Sequence, residues 1–291
     1  MGMSLITGAS GFIGSHLIEE MRRRGLPVRG VTRQGVTGLV TVPSYGAEMD
    51  WRPCLEGVDT VVHLAARVHV MRETATDPLA LFRDANVAAT LNLAQQAAAA
   101  GVRRFVFVSS IKVNGERTAP GQAFTAEDPQ RPQDPYGISK AEAETALMEL
   151  GRQTGMEITV VRPPLVYGPG VGGNFRSMMK WAASGLPSIF AAVKNKRSFV
   201  HVGNLCDLLL VVLNHPKAAN RVFLVSDGED LSTDELLRKL TVEAGRTPRS
   251  IRVSPHVLST IGRLTQRQAA VARLTESLQV DISDTCETLQ W

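Results

Sequence analysis

The sequence predicts an α/β fold, a doubly wound parallel sheet with a smaller α/β lobe for a substrate. Three observations point to it. Strand and helix patterns alternate through the first half of the chain, and a glycine turn, Thr7-Gly8-Ala9-Ser10-Gly11-Phe12-Ile13-Gly14, joins the first strand to the first helix. After Pro163-Pro164 the composition shifts to a flexible loop, Gly168-Pro169-Gly170-Val171-Gly172-Gly173. Parallel strands with helical crossovers bind their ligands beyond the carboxyl ends of the strands.

The elements follow in order. Residues 4–7 read as a strand, 14–24 as a helix, 28–32 as a strand and 60–64 as a further apolar run, which together make the βαβ pattern. Residues 79–100 carry Ala and Leu at helical spacing, and 104–109 are an apolar run bounded by polar residues. A helix is expected over 136–150, a strand over 157–161, and beyond the glycine loop a helix over 175–184 with shorter elements after it. The expected division is a dinucleotide-binding domain of Rossmann type over 1–165. The rest, 166–291, is expected to be mainly a substrate lobe, with segments returning to the first domain. No internal repeat or low-complexity segment is visible, and residues 287–291 read as a helix after which more chain is expected.

At 291 residues the chain can bury a substantial core without staples. Cys54, Cys206 and Cys286 lie far apart without metal-ligand or redox spacing, so free thiols in a reducing compartment and no metal are expected. The longest aliphatic stretch, 208–213, has six residues and no signal peptide precedes the first strand, which points to a cytoplasmic protein without a membrane partner. The net charge of +4 is modest, and its basic clusters at 22–24 and 194–197 lack interleaved aromatics, which argues against nucleic acid.

The spacing Gly8-x-x-Gly11-x-x-Gly14 follows a strand and opens a helix. Glycines there allow a tight turn and close backbone approach to a pyrophosphate, with Ser10, Phe12 and Ile13 between them and the helix amides as donors. An ordinary glycine-rich turn is the alternative. About 20 residues further on, where a carboxylate would take a ribose 2′-hydroxyl, the chain reads Val31-Thr32-Arg33-Gln34. Arg33 suits a 2′-phosphate and favours NADP(H) over NAD(H), unless it is a solvated surface arginine.

Tyr136 and Lys140 stand at i and i+4 of the expected helix and so share one face. A lysine ammonium beside a tyrosine, joined by the charge of an oxidised nicotinamide, lowers the phenol's pKa toward working pH. Ser109 and Ser110, at the end of the preceding strand, supply the hydroxyl that such a pair needs; each could also simply cap the strand.

These motifs, with His63-Leu64-Ala65-Ala66, Asn86 and Arg162-Pro163-Pro164-Leu165-Val166-Tyr167-Gly168-Pro169, resemble the extended short-chain dehydrogenase/reductases, and within them the nucleotide-sugar epimerase/dehydratase group. The resemblance runs from residue 4 to at least 281. It implies that Ser110 is the catalytic serine, that Asp50 and Trp51 lie beside the adenine, and that Pro163 to Leu165 pass the nicotinamide. Leu64, Ala65 and Ala66 join the cofactor set, and Asn86 supports the active site. Asn174 and Arg197 are implied at the diphosphate of a UDP-sugar, with Lys112 also in the substrate set. Arg67 and His69 would lie at the pocket mouth, and His201 packs or caps a strand.

Three reactions recur in that group. The 4,6-dehydratases carry Thr-Asp-Glu where this chain has Ser110-Ile111-Lys112, so elimination lacks its acid and base. Lys112 also departs from the small hydroxyl residue of the 4-epimerases. Residues 109–116 and 224–230 resemble bacterial surface-polysaccharide enzymes acting on UDP-linked N-acetyl-6-deoxyhexosuloses, while 273–279 departs from the epimerase pattern. The expectation is therefore a 4-keto reductase of a UDP-linked sugar. A UDP-hexose 4-epimerase with retained NAD is the alternative, and a non-catalytic NADP(H)-sensing regulator is a third reading. The alanine-rich stretch 88–100 could form a homodimer contact.

Overall fold

The computed structural model describes residues 2–68 and 77–291. Its elements begin with β1 (Met3–Thr7), α1 (Phe12–Arg23), β2 (Val28–Thr32), β3 (Val40–Thr41), α2 (Arg52–Leu55) and β4 (Val58–His63). Next come α3 (Pro78–Arg83), a π turn (Asp84–Ala88), α4 (Ala89–Ala99), β5 (Arg104–Val108), α5 (Pro135–Thr154), β6 (Glu157–Arg162) and β7 (Leu165–Tyr167). The chain continues through α6 (Gly173–Ser184), β8 (Phe199–His201), α7 (Val202–Asn214), β9 (Arg221–Leu224) and α8 (Thr233–Glu243). It closes with α9 (Pro255–Leu264), α10 (Gln268–Thr275) and α11 (Ser283–Leu289).

Seven strands in the order β3-β2-β1-β4-β5-β6-β9 form one parallel sheet. Thr7 at the end of β1 sits opposite Val31 of β2 and His63 of β4, so three strands finish at one level. Successive strand residues face opposite sides, and each side is covered. Ile6, Val62 and Val106 pack under α1 and α7, while their neighbours Leu5, Val61 and Phe105 pack under α4 and α5. The aliphatic run 208–213 is the interior of α7, a helix rather than a strand, with Leu208, Leu209, Leu210, Val212 and Leu213 all buried. A short all-apolar run does not separate the two by periodicity, and here Leu205 and Cys206 extend the buried face by a turn.

The chain leaves the large sheet after β6 and comes back to it through α7 and β9. Between and after these, β7 and β8 form a separate two-stranded parallel sheet, α6 packs on α8, and α9 on α10. The helix read over 79–100 is divided: α3 and α4 are joined by the π turn that contains Asn86. Helix α5 is set by local chemistry, with the Asp134 carboxylate accepting from the Gly137 amide at 2.6 Å, Pro135 opening the first turn, and Gly155 closing the last at φ 79°. Among the described residues no helix is long and apolar enough to cross a membrane.

Candidate active site

A cleft of about 820 Å³ opens at the carboxyl end of the large sheet. Its floor is the glycine turn. Gly8 has φ +66°, and a Cβ on Gly14 would lie 2.2 Å from the Gly8 carbonyl oxygen, so the turn closes only without side chains at these positions. Helix α1 starts at Gly11 with no side chain capping it, which leaves its first amides for a ligand.

Hydrogen bonds between distant residues hold this floor. Thr7 Oγ1 accepts from the Leu64 and Ala65 amides at 3.2 and 3.3 Å, so its own proton goes to His63 Nδ1 at 2.8 Å. The imidazole proton is then on Nε2 and is donated to Thr90 Oγ1 at 3.0 Å. Burial, with Lys140 nearby, pushes the His63 pKa down to about 3, so the ring stays neutral. Ser10 and Thr32 hydroxyls meet at 2.8 Å, tying the turn to β2.

Ser110, Tyr136 and Lys140 all line this cleft, across from Gly8 to Gly14. Lys140 Nζ donates to the Val108 carbonyl oxygen at 2.8 Å and lies 4.2 Å from the centroid of the Phe107 ring. Burial lowers its pKa to about 7 against the pull of Glu144. Without the nicotinamide charge that the sequence expectation included, burial first, and then the Asp134 carboxylate, push the Tyr136 phenol up to about 12, opposed by a hydrogen bond with Ser110. Lys140 is turned to Val108 and Phe107, and the protein alone does not ionise the tyrosine. Ser109 Oγ is buried in the cleft wall with no partner among the described residues.

Asn86 does not line the cleft but braces it. Its side chain accepts from the Arg67 amide at 2.8 Å and donates to the Arg67 carbonyl and to Ser139 Oγ, each at 3.0 Å. Ser139 in turn donates to the Tyr136 carbonyl at 2.8 Å. The π turn adds the residue that aims Asn86 at both partners.

Ser10, Phe12, Ile13, Arg33, Leu64, Ala65, Ala66 and Pro163 also face the cleft as expected, and Arg67 is at its edge. Several residues fall elsewhere. Trp51 is fully buried against the Tyr45 ring, and Asp50 points outward to Arg52 at 2.8 Å, so neither forms the cleft wall; Tyr45 takes that place. Leu165 faces the lobe with Phe175 and Phe199, because strand alternation gives the cleft Pro164 and Val166 instead. The Lys112 ammonium is held by Asp134 and Glu116. Asn174 is exposed at the start of α6, and Arg197 donates to the Glu276 carbonyl at 3.0 Å within the lobe, its pKa lowered by burial. His201 caps α7, its Nδ1 accepting from Gly203 at 3.1 Å, and His69 lies outside the described residues. Tyr45 was invisible as a site residue in the sequence, since no motif spacing marks it.

A glycine cradle that a Cβ would fill, uncapped helix amides and the orphaned Ser109 hydroxyl fit a dinucleotide. The model of the NAD dependent epimerase/dehydratase family matches residues 4–226. A UDP-glucose 4-epimerase of Vibrio cholerae is 44% identical, the match covering 99% of this chain and 89% of that protein. The structure of a Thermotoga maritima UDP-glucose 4-epimerase with UDP-glucose superposes with a TM-score of 0.78 at 23% identity, covering 99% of this chain and 93% of that one. MoeE5 in complex with UDP-glucuronic acid and NAD has a TM-score of 0.78 at 26% identity, covering 100% and 93%.

Proposed function

The chain belongs to the NAD dependent epimerase/dehydratase family, and on that premise we propose that it interconverts the C4 epimers of a UDP-linked hexose with a nicotinamide dinucleotide kept from one turnover to the next. The observation that carries this reading is the 44% identity with a UDP-glucose 4-epimerase over 99% of the chain. It favours epimerisation over the reduction at C4 expected from the sequence, which rested on Lys112, on the resemblance of residues 109–116 and 224–230 to surface-polysaccharide enzymes, and on Arg33 as a sign of NADPH. Arg33 bears on which dinucleotide is held, and not on which of the two reactions follows.

When bound, the nicotinamide supplies an acceptor and donor of hydride for sugar C4. Tyr136 Oη is the group that takes the C4 hydroxyl proton and returns it, and Ser110 Oγ donates to the same oxygen as its bond order rises. The Lys140 ammonium would favour the phenolate only together with the positive charge of a bound oxidised nicotinamide, and the Asn86–Ser139 bonds fix the start of α5 so that Tyr136 Oη keeps its place. Elimination finds no acid pair directly after Ser110, where Ile111 and Lys112 stand.

The test is to give UDP-glucose to the purified protein without added cofactor and measure its C4 epimer by NMR. Epimer should form with no net change in dinucleotide, and NAD should be released on denaturation. In Tyr136→Phe, turnover should fall about 100- to 10,000-fold while the dinucleotide is still retained. Stoichiometric NADPH consumption with a 4-keto sugar, and no epimer, would restore the reductase.

A further inference from the structure

The cleft wall beside the end of β2 is built by a residue that no motif announces. Tyr45 Oη accepts from the Gly8 amide at 3.2 Å and donates to the Val31 carbonyl at 2.7 Å, bridging the glycine turn to β2 over a long excursion of chain. Its ring is stacked on fully buried Trp51, with centroids 5.6 Å apart and planes 8° from parallel. On the cleft side the Arg33 guanidinium lies 5.6 Å from the same ring's centroid. Among the described residues no carboxylate pairs with Arg33. The end of the second strand is where folds of this kind read the ribose 2′ substituent, through an acid for a hydroxyl or an arginine for a phosphate.

We propose that Tyr45 is the positioning residue that sets how this cleft discriminates NADP(H) from NAD(H). Its ring holds the Arg33 guanidinium at the end of β2, and its hydroxyl independently ties down the glycine turn. The inference rests on the dinucleotide reading given above. The two contacts have different consequences. The hydroxyl supports the pyrophosphate cradle, which is common to both dinucleotides, whereas the ring acts through a cation that meets only the 2′ substituent. An exposed aromatic face restrains a guanidinium weakly, so losing the ring should change the discrimination about two- to fivefold.

The experiment strips the purified protein of dinucleotide, equilibrates it with an equimolar mixture of NAD+ and NADP+, desalts it rapidly, and quantifies the retained dinucleotides after denaturation. Tyr45→Phe should retain less of both at an unchanged ratio. Tyr45→Leu should shift the ratio toward NAD+ by about two- to fivefold, and Arg33→Gln, which leaves the packing of Tyr45 on Trp51 intact, should shift it further. Adding Tyr45→Leu to Arg33→Gln should move the ratio no more. An unchanged ratio in Tyr45→Leu, or a further shift in the double variant, overturns the role of Tyr45 alone. Retention of neither dinucleotide by the unaltered protein overturns the reading on which it rests.

Discussion

His63 shows how one buried side chain can serve a site it does not touch chemically. It stands between the Phe105 and Phe107 rings, accepts from Thr7, and through Thr7 holds the Leu64 and Ala65 amides at the cleft floor. Its pKa is depressed from the ordinary 6.5 to about 3 by burial, so the folded ring refuses a proton that the unfolded chain accepts between those values. Stability is therefore untouched by this group above pH 6.5 and falls as pH drops from there toward 3, by at most about 1.4 kcal/mol per pH unit. His63→Gln keeps an acceptor for Thr7 and a donor for Thr90 but does not titrate. Urea midpoints between pH 7 and 4.5 should fall less steeply for the variant than for the natural chain, and parallel curves would refute the assignment. Tyr136 poses the complementary case: a phenol pushed up to about 12 needs positive charge beyond what Lys140 offers from its seat under Val108.

At the scale of elements, α5 carries both Tyr136 and Lys140, and its seat on β6 depends on one buried ion pair. Arg162 Nη2 and Glu144 Oε2 are 2.6 Å apart with each side chain 3% exposed, and Asn114 accepts from the same guanidinium at 3.0 Å. Removing one partner leaves a buried charge uncompensated. Glu144→Ala should lower the unfolding free energy by about 3–5 kcal/mol, and replacing both residues by Met should recover most of it, as read from denaturant midpoints. If the double variant is no more stable than the single one, the loss comes from packing instead. The same scale shows where the sequence pattern misleads. Residues 79–100 have one helical periodicity, but the π turn at 84–88 inserts an extra residue so that Asn86 reaches both Arg67 and Ser139. Periodicity records which faces are apolar and is blind to a single wider turn.

Across the whole molecule, the cleft collects residues from the ends of five parallel strands and from α5, so a dinucleotide seated there would bridge much of the sheet. A ligand that binds only the folded chain stabilises it by mass action. Protein stripped of dinucleotide should unfold more easily, and restoring the dinucleotide at one hundred times its Kd should add about 2.7 kcal/mol, measured in urea at fixed protein concentration. No gain would remove the cleft from consideration as the dinucleotide site. The sequence alone determined the alternating βα order, the glycine turn and the shared face of Tyr136 and Lys140, because each is written in spacings shorter than about two helical turns. Tertiary structure decided the rest. It brought Tyr45 to the Gly8 amide, buried Trp51, turned Leu165 toward the lobe, and paired Lys112 with Asp134 and Glu116. These outcomes depend on which distant segments meet and which face of a strand is already covered, and local spacing carries no record of either.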